Sequence, residues 1–309
     1  MKKNNRSSSG HKLGQLVGDW FEEEVATYLL EKVSLKLNLF LDHRFKVRSC
    51  RKRKIIWQDL DGNNVDYDFV LELYGTDEKK GIPVAFFETF WRRGARHSKD
   101  KARDDSGKLL PMRDTYPTAR ILGIISAGDF TNPAQELVKS RNIDLFYIPK
   151  VIILEAWKMS GIEMDYADSA SESIKLKIAN NAEKMLTKGK KKEIFKNLIS
   201  IMGEAVFNSY IQRIIAGIAS VPIEYKITTI LKDSGMVFSK YEDAQKYLEN
   251  TIHDNIDLGY TDMTRLFQYE AVFSDGNIFE RDNLSSEEVL ALHENVGYVA
   301  KYFSVHLSK

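Results

Sequence analysis

Two neighbouring stretches decide the fold: Val65-Asp66-Tyr67-Asp68-Phe69-Val70-Leu71 and Ile82-Pro83-Val84-Ala85-Phe86-Phe87-Glu88. The first alternates acidic and apolar side chains and then turns wholly apolar. The second is apolar until it ends in an acid. Both read as strands: Asp61-Gly62-Asn63-Asn64 is a turn signal before the first, and a loop from Gly75 to Gly81 separates the two. Paired as a hairpin, they would bring Asp68 and Glu88 together at one edge of a sheet, where two carboxylates can share a divalent cation. Asp66 would share the face of Asp68, because side-chain direction along a strand repeats every two residues. Asp68 is the preferred ligand, since it abuts the apolar run Phe69-Val70-Leu71, where an unpartnered carboxylate is costly. Asp66 would otherwise cap the turn.

Cations flank these acids. Trp91 to Arg103 holds seven basic or imidazole side chains in thirteen residues, and Arg44 to Trp57 holds seven Lys or Arg and no acid. A third cluster spans Lys188 to Lys196. The formal net charge is only +1, so affinity for a polyanion rests on these local clusters and not on the total.

Upstream, the apolar positions of Leu13 to Val33 recur at helical spacing, with acids on the other face. Phe45 to Trp57 alternates as a strand. Downstream, the pattern predicts a helix over Ser98 to Leu110, a buried strand over Ala119 to Ser126, a helix opened by Thr131-Asn132-Pro133 and a buried strand over Ile143 to Ile148.

With its acidic strand, its apolar strand ending in Glu88 and its basic follow-on, this stretch resembles the PD-(D/E)XK nuclease superfamily, with the restriction-endonuclease-like fold, over roughly residues 13–155. The resemblance implies an α/β domain (13–160) whose mixed central sheet is flanked by helices. It implies Asp68 and Glu88 holding Mg²⁺, for which Mn²⁺ may substitute, and a type II restriction-type endonuclease cutting double-stranded DNA as a homodimer. A Gly-x-x-Phe-Glu run such as Gly18 to Glu22 can bring a third acid, Glu22, toward the metal; the alternative is a solvated acidic helix face. The pattern departs at its third position, where Phe90 stands in place of the lysine two residues after the Glu. Phe can neither donate a hydrogen bond nor carry charge. Either a cation reaches back from the following segment (Lys101 first, then Lys99 or Arg93), or the domain binds DNA without cutting it. Lys101 lies one helical turn after His97, itself a candidate base, phosphate contact or helix-end residue. DNA contacts are expected from Arg92, Arg93, Arg96, Lys99, Arg51, Lys52 and Arg53, with Trp91 placed to stack on a sugar or base. A rival from another class is an adaptor whose C-terminal part binds protein.

The 309 residues suffice for two domains. Cys50 is the only cysteine, so no disulfide forms within a chain, and the six histidines lack zinc-site spacing. No long apolar run suggests a membrane span, and no Gly-x-x-x-x-Gly-Lys-Ser/Thr loop suggests a nucleotide cofactor; a cytoplasmic protein is expected. Residues 1–12 read as a disordered tail and 161–220 as a helical bridge. A C-terminal α+β unit, 221–309, would serve recognition or assembly. Within it, strand, turn, strand and helix recur twice, with Asp233-Ser234-Gly235 and Ser274-Asp275-Gly276 as the turns, as in a degenerate ββα repeat.

Overall fold

The computed structural model describes residues 9–229, 232–261 and 264–306. One long helical stretch opens the chain as α1 (Ser9–Trp20), a π-helical turn (Phe21–Ala26) and α2 (Thr27–Leu37). Asn38, in the left-handed conformation at φ 52°, ends it, as a short polar side chain at such a position can. Residues 9–12 are therefore helical and not part of a tail; residues 1–8 lie outside the described residues.

The chain continues through β1 (Phe40–His43), β2 (Ile55–Gln58), β3 (Asn64–Tyr67), β4 (Phe69–Leu73), β5 (Ile82–Arg92), α3 (Ser98–Thr115), β6 (Ile121–Gly128), α4 (Asn132–Lys139) and β7 (Asp144–Pro149). Five of these strands form a sheet in the order β1-β4-β5-β6-β7. Its first two pairings are antiparallel and its last two parallel, so the sheet is mixed. On one face the α1–α2 stretch packs with α5 (Lys150–Met159), α7 (Lys188–Met202) and α8 (Glu204–Ile218), while α6 (Glu172–Met185) lies on α1. On the other face α3, α4 and the β2–β3 hairpin enclose a second core around Phe86, Leu122 and Ile124. Burial on both faces explains the almost unbroken apolar run of β5.

Residues 161–220 are thus not a bridge between bodies. Ala179, Ile194, Leu198, Phe207 and Ile214 belong to the same core as Phe87 and Ile125 of the sheet. An apolar helix face must be covered, and the sheet was the nearest cover.

The expected strand over Phe45 to Trp57 is instead a loop followed by the short β2. The loop is held by charge: Arg48, whose side chain is fully buried, bonds Asp42 and Glu72 at 2.6 Å each, and Arg51 chelates Asp42. The strand expected over residues 65–71 is also two strands. β3 pairs with β2, β4 pairs with β1 and β5, and Asp68 is the residue at the break.

In the C-terminal unit, β8 (Pro222–Thr229), β9 (Lys232–Phe238) and α9 (Tyr241–Asp257) are followed by β10 (Phe267–Phe273), β11 (Ile278–Leu284) and α10 (Ser286–His306). The sheet order is β11-β10-β8-β9, all antiparallel, so the two ββα units meet through their first strands. The first turn differs from expectation: Asp233-Ser234-Gly235 lies within β9, and residues 230–231 between the strands lie outside the described residues. Among the described residues, no helix is long and apolar enough to cross a membrane.

Candidate active site

The β4–β5 register sets Phe69 opposite Phe87, which brings Asp68 beside the Glu88 end of β5. Asp68 Oδ2 accepts hydrogen bonds from the Thr89 backbone N–H at 2.7 Å and the Thr89 hydroxyl at 3.0 Å. Glu88 shares its strand face with Phe86 and Phe90 and so faces α3. There its Oε2 accepts from Lys108 Nζ at 2.9 Å, while Oε1 is buried with no protein donor. Burial, and next the charge of Asp68, push the Glu88 carboxyl up to about 8. Burial opposes the charge on Lys108, but Glu88 and the nearby Asp105 and Asp68 outweigh it and raise the ammonium above its ordinary range.

Along α3, Lys101, Asp105 and Lys108 fall at positions i, i+4 and i+7, one face of the helix. Asp105 is fully buried; Lys101 holds its Oδ1 at 2.5 Å, and its Oδ2 has no partner. Burial raises the Asp105 carboxyl, with Asp68 adding to the shift.

Glu22 enters from the opposite helix. It sits in the π-helical turn, where the extra residue per turn re-aims side chains, a feature often found at functional sites. Only 7% exposed, it pairs with Arg44 at 2.6 Å, and Arg44 also bonds Asp19. Burial, and next Asp68, push Glu22 up to about 7. Asp68 is therefore the charge that Glu22, Glu88 and Asp105 all feel.

The other expected residues are placed differently. Lys101 does not reach Glu88, because Asp105 claims it. The Asp66 carboxylate accepts from the Ile55 N–H and pairs with Lys54, closing the β2–β3 hairpin, while its backbone carbonyl accepts from Lys108 at 3.5 Å. Arg93 bonds Asp165 at 2.8 Å and lies 3.6 Å over the Tyr166 ring, tying down the loop after α5. His97 is exposed and meets Asp100. Lys99 and Arg96 are exposed, Arg92 half-buried, and none of the three forms an ion pair among the described residues. Arg51, its side chain 5% exposed, is committed to Asp42, while Lys52 and Arg53 are exposed, as is Lys54 beside Asp66. Trp91 packs against the N-terminal core, and Phe90 packs edge-on against Phe130.

Lys108 was missed because its link to Glu88 exists only once α3 crosses the sheet. The available signal was its helical phase with Lys101 and Asp105.

No group of three or more His, Cys, Asp or Glu side chains able to hold a metal forms among the described residues. The pair Asp68 and Glu88 nevertheless suits a hard divalent cation, which takes oxygen ligands and retains water. The unpartnered Oε1 of Glu88 is the acceptor such an ion would satisfy. The chain matches no family model, no curated protein and no solved structure.

Proposed function

We propose that this chain is a Mg²⁺-dependent DNA endonuclease of restriction or defence type, with the α3 lysine Lys108 in the role that Phe90 cannot fill. The observation that carries the reading is Lys108 Nζ at 2.9 Å from Glu88 Oε2, beside Asp68, with the other Glu88 oxygen unpartnered. A mixed sheet with Glu88 on β5 and Asp68 just before the adjacent β4 supports the reading of a restriction-endonuclease-like core.

Asp68 and Glu88 would hold Mg²⁺ or Mn²⁺, which when bound supplies Lewis-acid activation of water and neutralises phosphate charge. Thr89 orients Asp68 through two hydrogen bonds to one oxygen. Lys108, held as an ammonium by its acidic neighbours, stabilises negative charge growing on the phosphate and is not a base. Glu22, fixed by Arg44, adds a third carboxylate at the edge of the site. Exposed Lys52, Arg53, Arg96 and Lys99, with half-buried Arg92, supply backbone contacts to double-stranded DNA. Cutting both strands calls for two such sites, hence a homodimer.

Mixed-sequence duplex DNA incubated with the protein in Mg²⁺ or Mn²⁺ tests this, with EDTA and Glu88→Ala controls read on a gel. Discrete fragments that vanish in both controls are expected. A salt-sensitive mobility shift without cutting would replace the nuclease by a silent DNA-binding subunit, and neither cutting nor a shift would favour the adaptor.

A further inference from the structure

Away from the carboxylates, the amino-terminal ends of β6 and β7 and the turn between β10 and β11 enclose a cleft of about 860 Å³. Its size is that of a small-ligand pocket. Two of its guanidiniums are poorly paired. Arg120, whose side chain is 7% exposed, lies 3.3 Å over the Phe273 ring; its Nε is buried without a partner, and its one carboxylate contact is to Asp275 at 3.3 and 3.4 Å. Asp275 is itself held by the Asn277 N–H and side-chain amide. Arg113 donates only to the carbonyls of Arg141 and Asn142. Burial depresses both guanidiniums, Arg120 to about 10, and Arg113 adds repulsion to Arg120. The remaining strong pair on the wall, Arg213 with Asp144, is bidentate and satisfied.

Buried charges are ordinarily paired; Arg120 has one carboxylate contact at 3.3 Å, Arg113 has no ion pair among the described residues although Asp114 and Glu280 share the lining, and a dianion would complete the pairing of the two guanidiniums better than a monoanion. Ile121, Ile278 and Phe279 supply an apolar wall beside them. We infer that this cleft binds the phosphate group of a small phosphomonoester, with Arg120 and Arg113 as the phosphate contacts and the apolar wall against the body of the ligand. This site is independent of the nuclease reading.

Titration calorimetry on full-length Glu88→Ala protein in EDTA isolates the cleft from any metal-dependent site. The probes are inorganic phosphate, AMP and, as the uncharged control, adenosine. AMP is expected to bind, phosphate to bind more weakly and to compete, and adenosine not to bind. Arg120→Gln and Arg113→Gln should each weaken AMP by about tenfold or more, the loss expected for a charge-assisted pair. Arg113→Gln keeps the test decisive if Arg120→Gln fails to fold, because it leaves the Arg120–Asp275 contact intact. Absence of AMP binding, or AMP binding unchanged in a folded Arg113→Gln protein, would overturn the assignment. Equal binding of adenosine would overturn it too, by removing the phosphate from recognition.

Discussion

Glu88 has two oxygens in two different situations, one held by Lys108 and one without a donor. In the proposed reaction Lys108→Ala should therefore slow cutting by about 10²–10³-fold, the range seen when a preorganised charge stabiliser is removed. Lys101→Ala should cost far less, since Lys101 is spent on Asp105. Single-turnover cleavage of a defined duplex separates the two. Asp68→Ala should abolish cutting with the fold intact, which circular dichroism would verify alongside the gel.

The raised Glu88 carboxyl also makes a statement about stability. Its folded value of about 8 stands above the ordinary 4.5, so without metal the folded chain holds a proton that the unfolded chain has released. That contribution is complete below about pH 4.5 and is lost as pH rises through about 8. Metal-free Tm is expected to fall across this window, and Glu88→Gln should flatten the decline. Mg²⁺ should raise Tm more at pH 8 than at pH 5.5, because binding requires the ionised acid. A wild-type profile as flat as that of Glu88→Gln would contradict the burial that raises this carboxyl.

At the scale of elements, the loop from Arg44 to Lys54 is the clearest case of one composition serving two ends. In sequence it is a run of like charge. In the fold, Arg44, Arg48 and Arg51 neutralise internal carboxylates, while Lys52 and Arg53 stay exposed. Arg48→Met strands Glu72 as a buried acid and leaves Asp42 to Arg51 alone, and should destabilise the chain by about 3–5 kcal/mol in urea unfolding. Replacing Lys52 and Arg53 by Ala should leave stability nearly unchanged, weaken DNA binding and reduce the slope of log affinity against log salt by roughly 2. Nothing in a linear pattern separates Arg51 from Lys52; the difference lies in which side chain can reach Asp42 after the loop closes. The hairpin of β4 and β5 was legible because period-two patterning and turn residues are local. The break at Asp68 was not, because it reflects which partners β3 and β4 find on different sheets.

At the scale of the whole molecule, the last helix joins the two units. Val299, Tyr302 and Phe303 at the end of α10 lie in the core that also holds α1 and α2, and the Tyr302 hydroxyl donates to the carbonyls of Leu37 and Asn38. Phe303→Ala should cost about 3–5 kcal/mol as a buried aromatic deletion. All four tryptophans (Trp20, Trp57, Trp91 and Trp157) lie in the N-terminal part. A shift in their fluorescence transition would therefore report that the C-terminal helix stabilises the N-terminal layers. An unshifted transition would mean that the two units unfold independently.

The sequence by itself determined the helix and strand periods, the α/β class, the twofold ββα arrangement and the neighbourhood of Asp68 and Glu88, all properties of short windows. Tertiary structure alone decided that residues 161–220 complete the first core, that Arg51 is internal and that Lys108, not Lys101, meets Glu88. Each of these depends on which groups approach across the sheet, and burial and charge pairing act through distances in space that spacing along the chain does not contain.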